Sequence, residues 1–341
     1  MINVTISEVK ELLVSTMKAG LVPMLHGSPA IGKSAIVREI AEAYDLVLID
    51  LRLSQLDPVD LNGFPYICKE TGRASYRPME VFPLEGAVLP EGKKGWLLFL
   101  DELNSADRGT QKAAYKLILD RMVGQYKLDP RCALMAAGNL ATDNAIVEEM
   151  GTALQSRLIH FSVTADDHRG WVDWAAGAGI DHRITAYINF KPGMLYDFDP
   201  NHSDNTFPSP RTWEFADKLL KTVGVDSSQL LPLLTGAIGE GAAREFIGFT
   251  KVYGELPSFS QLMDNPTGMA IPKEPSTLFA VSGMISHNMT LDNISKVMLY
   301  LKRIPTEFQS ICIRDAKRRN RDILKAPEIL DWATENGEKM F

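Results

Sequence analysis

The sequence predicts an α/β domain with a five-stranded, mainly parallel sheet over residues 1–165, followed by an α-helical lid and C-terminal helical region over 166–341. Three observations carry that prediction. Apolar runs of strand length alternate with amphipathic helical stretches through the first half, and beyond it only helical spacing continues. A glycine-punctuated loop, Gly27-Ser28-Pro29-Ala30-Ile31-Gly32-Lys33-Ser34, joins the first apolar run to a helix, and a later apolar run ends in the acidic pair Asp101-Glu102.

Length and composition agree. At 341 residues the chain exceeds what one core usually supports, so two domains are expected, and 45% hydrophobic residues suffice for packed interiors. The net charge of −7 argues against a body that coats nucleic acid, since that affinity rests on neutralised phosphates. One local exception, Arg314, Lys317, Arg318, Arg319, Arg321 and Lys325, reads either as a solvated helix face or as a patch for an acidic partner or a phosphate backbone. Ser282, Ser286, His287 and Asn288 interrupt the longest uncharged run, Pro275 to Leu291, so no membrane span is expected. Residues 1–5 lack a basic n-region, and a cytoplasmic protein is expected. Cys68, Cys132 and Cys312 lie far apart without Cys-x-x-Cys spacing and read as ordinary buried thiols. His168, His182 and His202 lack metal spacing and read as structural or solvated.

In chain order, Thr5 with Glu8 three residues on fits a capping box for a helix over Ile6 to Lys18. The first strand is Leu21 to Leu25. The loop from Gly27 to Ser34 fits G-x-x-x-x-G-K-[ST] in the context that motif needs, an apolar strand before it and an amphipathic helix after it. Its backbone N–H groups and the following helix N-terminus suit an anion. Lys33 would reach the β- and γ-phosphates of ATP, and the Ser34 hydroxyl would ligate Mg²⁺. A bare glycine turn between strand and helix is the bland alternative.

Leu46 to Leu53 is a buried parallel strand by its apolar, β-branched content. The Gly/Pro-punctuated stretch from Asp57 to Pro78 reads as a hairpin turning at Lys69 to Gly72, either a plain surface hairpin or an insertion that touches a partner. Trp96 to Leu100 is the third strand. Ligands bind at the C-terminal ends of strands in open parallel sheets, so Asp101 is expected beside Ser34 and the metal, with Glu102 placed to orient and deprotonate an attacking water. A helix over Asp107 to Met122 follows, and then a strand from Cys132 to Gly138. Asn139 at its end would either hydrogen-bond the γ-phosphate or the water, or form a turn. Glu148 to Leu158 reads as helix, with Arg157 at its junction to a fifth strand, Ile159 to Val163.

The series Gly27 to Ser34, Asp60-Leu61-Asn62-Gly63, Arg77-Pro78, Leu100 to Asn104, Gln111, Ala137-Gly138-Asn139, Leu154 to Leu158 and Ser209-Pro210-Arg211 resembles the MoxR-like branch of AAA+ ATPases over roughly Met1 to Leu220. The resemblance implies Asn139 as sensor 1, Arg157 as the arginine finger offered to the neighbouring subunit, and Arg211 as sensor 2 on the helical lid. It also implies a helix-2 insert over Asp60 to Pro78, a hexameric homo-oligomeric ring, and remodelling of a protein client, often beside a von Willebrand factor A domain partner. Three departures stand out. Ser105 replaces the Arg that commonly follows the Asn, leaving Arg108 to take its part; the hairpin before sensor 1 is short, at Val123 to Arg131; and Arg157 stands in Ser-Arg-Leu.

The remainder has helical spacing or length in eight stretches: Trp171 to Gly177, Asp181 to Asn189, Arg211 to Val223, Ser227 to Gly236, Ala242 to Tyr253, Ser276 to Met289, Leu291 to Arg303 and Phe308 to Lys325. Loops are expected over Lys191 to Pro210 and Glu255 to Pro275. The functional expectation is Mg-dependent ATP hydrolysis between ring subunits. Two alternatives are a P-loop kinase or GTPase, disfavoured by the lack of Asn-Lys-x-Asp, and a non-hydrolysing nucleotide-bound scaffold, disfavoured by intact Lys33, Asp101 and Glu102.

Overall fold

The alternating pattern builds a parallel sheet of six strands, one more than the sequence predicts, in a computed structural model whose described residues are 3–143, 148–164, 168–201 and 204–337. The chain divides into two compact units, residues 1–166 with 199–201, and residues 167–198 with 202–341.

In the first unit the elements are β1 (Asn3–Thr5), α1 (Ile6–Lys18), β2 (Val22–Gly27), α2 (Lys33–Ala43), β3 (Leu46–Arg52), α3 (Pro58–Asn62), β4 (Phe64–Ile67), β5 (Ala74–Arg77), β6 (Gly95–Asp101), α4 (Arg108–Asp120), β7 (Met122–Val123), β8 (Tyr126–Lys127), β9 (Cys132–Gly138), α5 (Thr152–Gln155) and β10 (Leu158–Thr164). The large sheet runs in the order β1-β10-β2-β9-β6-β3, with every pairing parallel. The added strand is β1, which pairs only with β10. Three residues are too short for a period to register, and Thr5 is at once its last residue and the N-cap of α1, with the expected capping box formed.

Side-chain alternation divides the strands between two faces. Val22, Met24, Leu98, Leu100, Leu134 and Ala136 join one core with Ala113, Ala114 and Leu117 of α4. Leu25, Leu97, Phe99 and Met135 are likewise buried, as are Val9 and Leu13 of α1 and Ile36, Val37 and Ile40 of α2. Because β2, β6 and β9 are interior strands with buried faces, they read as continuous apolar runs. The expected hairpin forms as β4 against β5, and the short one before Asn139 forms as β7 against β8.

Other expectations change. The helix expected over Glu148 to Leu158 is only α5, because Gly151 stands as its N-cap and Leu158 already belongs to β10. Cys132 is a buried free thiol, but Cys68 is only half-buried, just past β4 in the hairpin.

The second unit is helical: α6 (His168–Gly177), α7 (His182–Phe190), α8 (Pro210–Val223), α9 (Leu230–Ile238), α10 (Glu240–Glu255), α11 (Phe259–Asp264), α12 (Pro275–Asn288), α13 (Ile294–Leu301), α14 (Thr306–Arg319) and α15 (Pro327–Asn336). Most of the uncharged run becomes α12, buried continuously from Ala280 to Ser286. Ala280 packs into a core with Trp171, Tyr187, Trp213 and Phe246, while Val281 and Ile285 pack into a second with Tyr300, Cys312 and Trp332. Among the described residues no helix is long and apolar enough to cross a membrane.

α11 falls inside the stretch expected to be irregular, where Ser258 and Gln261 close a capping box. The helix expected to reach Lys325 stops at Arg319, because Asn320 is extended at φ −144° and ψ 104°. Much of the basic cluster is paired within the chain, partly on its surface. Arg314 and Arg318 pair with Asp173, Arg319 donates to the Ile180 carbonyl, and Lys325 pairs with Asp322. His182 stacks on His287 with ring centroids 4.6 Å apart, and the reading of His202 lies outside the described residues.

Candidate nucleotide site

The site grows from the C-terminal ends of adjacent strands. Parallel register places His26 opposite Gly138, Leu100 opposite Ala136 and Arg52 opposite Asp101, so the segments after β2, β9, β6 and β3 emerge along one edge. β2 feeds the loop from Gly27 to Ser34, and α2 begins at Lys33. Gly32 caps α2 at φ 109°, a conformation that L side chains rarely adopt, and Ala30 is left-handed at φ 60°. A non-glycine residue in that region costs roughly 1–3 kcal/mol and is held only by its surroundings.

Lys33 is 9% exposed. Its ammonium donates to the carbonyls of Gly27 at 2.6 Å and Ser28 at 3.1 Å, and to Asn139 Oδ1 at 3.0 Å. Lys33 and Asn139 are thus in direct contact. Ser34 Oγ donates to Asp101 Oδ2 at 3.3 Å, and Glu102 N donates to Asp101 Oδ1 at 2.9 Å. The pair of hard oxygens on Ser34 and Asp101 suits Mg²⁺, which takes one or two protein ligands and draws the rest from phosphate and water. Around it the field is acidic. The Asp50 carboxyl on β3 is raised above the usual carboxylate range, first by burial and next by Asp101, against the opposing charges of Arg52 and Arg38.

Glu102 is left-handed at φ 56°, a second strained residue on this edge. Its carboxylate accepts a short hydrogen bond from Ser54 Oγ, and Arg52 Nε lies 3.9 Å from its other oxygen. Asn139 is held through its backbone. Asn104 Nδ2 donates to the Asn139 carbonyl at 2.8 Å, and Asn139 N donates to Asn104 Oδ1 at 3.1 Å. This closeness explains Gly138, where a Cβ would stand 2.1 Å from Asn104 Oδ1. Residue type and spacing give Arg52, Ser54 and Asn104 no role of their own. The signals that find them are the β3–β6 pairing for Arg52 and Ser54 and the β6–β9 pairing for Asn104, which sequence spacing does not state.

Arg157 and Arg108 lie apart from this cluster. Arg157 is exposed just after α5; its guanidinium donates to Ala153 O at 3.2 Å and Ser156 Oγ at 2.7 Å and stands 5.4 Å over the Tyr115 ring. Arg108 pairs at 3.6 Å with Glu148. Arg211 belongs to the second unit, exposed in the first turn of α8 after the N-cap Ser209. Chemically, the edge can cradle a polyphosphate with backbone N–H groups and Lys33, hold a divalent cation on Ser34 and Asp101, and present a carboxylate beside them.

No family model and no curated protein matches the chain. Solved structures that resemble it include a crystal structure from Cytophaga hutchinsonii ATCC 33406 whose ATPase assignment is provisional, at 14% identity and a TM-score of 0.37, over 96% of this chain and 87% of that one. Another is a mutant of RuvB from Thermotoga maritima, at 14% identity and a TM-score of 0.40, over 88% of each chain. Likeness at this level assigns neither activity nor substrate.

Proposed function

We propose that this chain is a Mg-dependent ATPase of the AAA+ class that hydrolyses ATP at the subunit interfaces of a homo-oligomeric, hexameric ring and uses it to remodel a protein client. The observation that carries the hydrolytic part is the junction of two motifs. Ser34 Oγ meets Asp101 Oδ2 at 3.3 Å while Lys33 Nζ meets Asn139 Oδ1 at 3.0 Å, with Glu102 next in the chain.

In this reading the loop N–H groups and Lys33 bind the β- and γ-phosphates, and Asn139 orients the γ-phosphate or the water. The metal held by Ser34 and Asp101 would supply charge neutralisation on the phosphate oxygens. Glu102 takes a proton from the water as its oxygen attacks the γ-phosphorus. The bond from that phosphorus to the β–γ bridging oxygen breaks, leaving ADP and inorganic phosphate. Arg157 from one subunit and Arg211 from the helical unit would stabilise the charge spread over the transferring group. A ring, a client and a von Willebrand factor A domain partner are supported by the motif series in the sequence.

Glu102→Gln keeps the shape and removes the base. Mg-ATP affinity should stay within about twofold of the parent, while turnover falls roughly 10²–10⁴-fold as for a lost general base. Binding of labelled ATP and phosphate release at saturating nucleotide measure the two effects. Undiminished release would take Glu102 out of the reaction.

A further inference from the structure

His26 precedes the loop glycine Gly27 and is buried, at 7% exposure. On the neighbouring strand, His160 pairs in register with Met24, two residues before His26, so both imidazoles stand on one face of the sheet as diagonal neighbours. Their rings lie nearly parallel, 24° apart with centroids at 5.1 Å, and His26 Nε2 is 2.8 Å from His160 Nδ1. On its far side His160 Nε2 is 2.8 Å from the carbonyl of Gln155, the last residue of α5.

A carbonyl only accepts, so His160 Nε2 carries a proton. In the neutral ring Nδ1 is then the acceptor, and His26 Nε2 donates to it. Burial first, then His160 and Lys33, depress the His26 pKa to about 4, so that ring is neutral at physiological pH. The final carbonyls of a helix have no partner within it, and the bond from His160 satisfies that of Gln155, beside the Ser156 amide on Thr152 O and the start of β10 at Leu158. That end carries Arg157: its amide closes on Leu154 O at 3.1 Å and its guanidinium on Ala153 O. On the other side of His26, the Gly27 carbonyl holds the Lys33 ammonium.

We propose that His26 and His160 are positioning residues which fasten the turn bearing Arg157 to the strand that bears the phosphate loop, and so set the Arg157 guanidinium for the site of a neighbouring subunit. This inference rests on Arg157 acting in trans. It also separates two roles within one chain: the link governs what a subunit offers to its neighbour and leaves its own phosphate site intact.

The test is complementation in mixed assemblies. His160→Phe keeps the ring and removes both hydrogen bonds. ATP affinity should be unchanged, and turnover should fall roughly ten- to a hundredfold, as for misplaced catalytic groups. His160→Gln, whose amide accepts from His26 and donates to the Gln155 carbonyl, should restore most of it. Mixing His160→Phe subunits with Glu102→Gln subunits should recover activity, as mixing Arg157→Ala with Glu102→Gln should, because some interfaces then join an intact Glu102 to a well-placed Arg157. If Arg157→Ala complements and His160→Phe does not, or if His160→Phe keeps full turnover, the positioning role is wrong and the role of Arg157 stands. If Arg157→Ala itself fails to complement although mixed assemblies form, the reading of Arg157 falls and takes this inference with it. Weak ATP binding by His160→Phe, restored in His160→Gln, would place the pair in service of the phosphate loop and overturn the proposal.

Discussion

Glu102 is engaged on its β3 side by Ser54 and lies near Arg52, while general-base work needs a lone pair directed at water. A hydrogen bond to a charged group is worth about 1.5–3 kcal/mol, enough to bias which way a surface carboxylate points. Ser54→Ala should therefore raise basal turnover by several-fold, with ATP affinity unchanged, in a steady-state assay at saturating Mg-ATP. A fall instead would mean that Ser54 orients Glu102 productively. At this scale legibility divides cleanly. Lys33, Ser34 and Asp101 could be read because each sits at a fixed offset inside a motif with its own flanks. Ser54 and Asn104 could not, since serine and asparagine after strands are common turn residues and only the pairing of β3 with β6 gives Ser54 a role, and that of β6 with β9 gives Asn104 one.

Elements of six residues or more with buried faces were readable, because period and apolar content add up over their length. The interior strands β2, β6 and β9 and the helices α2 and α4 belong here. Three elements with little buried face were misread: β1 has three residues, α5 four, and α11 six with only Leu262 buried, and their existence or extent is decided by what they pack against or by a cap. The asparagine clamp joins two elements in one bond pair: Asn104 after β6 grips the backbone of Asn139 after β9. Gly138→Ala puts a methyl where Asn104 Oδ1 lies 2.1 Å away and Met24 Cε 2.8 Å away, so the clamp must open or the strands part. Overpacking of this kind costs typically about 1–3 kcal/mol. A urea melt should show the unfolding free energy lowered by that amount and the midpoint lowered by that amount divided by the denaturant slope, and ATP turnover should fall with it as Asn139 loses its anchor. An unchanged midpoint would mean that Asn104 yields freely and that the clamp contributes little.

At the scale of the whole molecule, the role proposed for Arg157 would tie chemistry to assembly. Its guanidinium is exposed and held by Ala153, Ser156 and Tyr115 of its own chain, on a turn distinct from the loop that holds Lys33. An arginine stabilises the charge on a transferring phosphoryl group only at contact distance, and supplied from a neighbour it is worth 10³–10⁵ in turnover, roughly 4–7 kcal/mol of barrier. If that arginine arrives in trans, turnover per chain depends on the fraction of chains assembled. Specific ATPase activity should climb with protein concentration and follow the assembled mass measured by light scattering on the same samples. Arg157→Ala should assemble along the same curve, because a guanidinium stacked on its own Tyr115 contributes little to association, yet its activity should stay low throughout. Activity per chain that holds constant while the mass rises would place the whole reaction within one subunit. The AAA+ reading would then reduce to a phosphate loop hydrolysing without a neighbour.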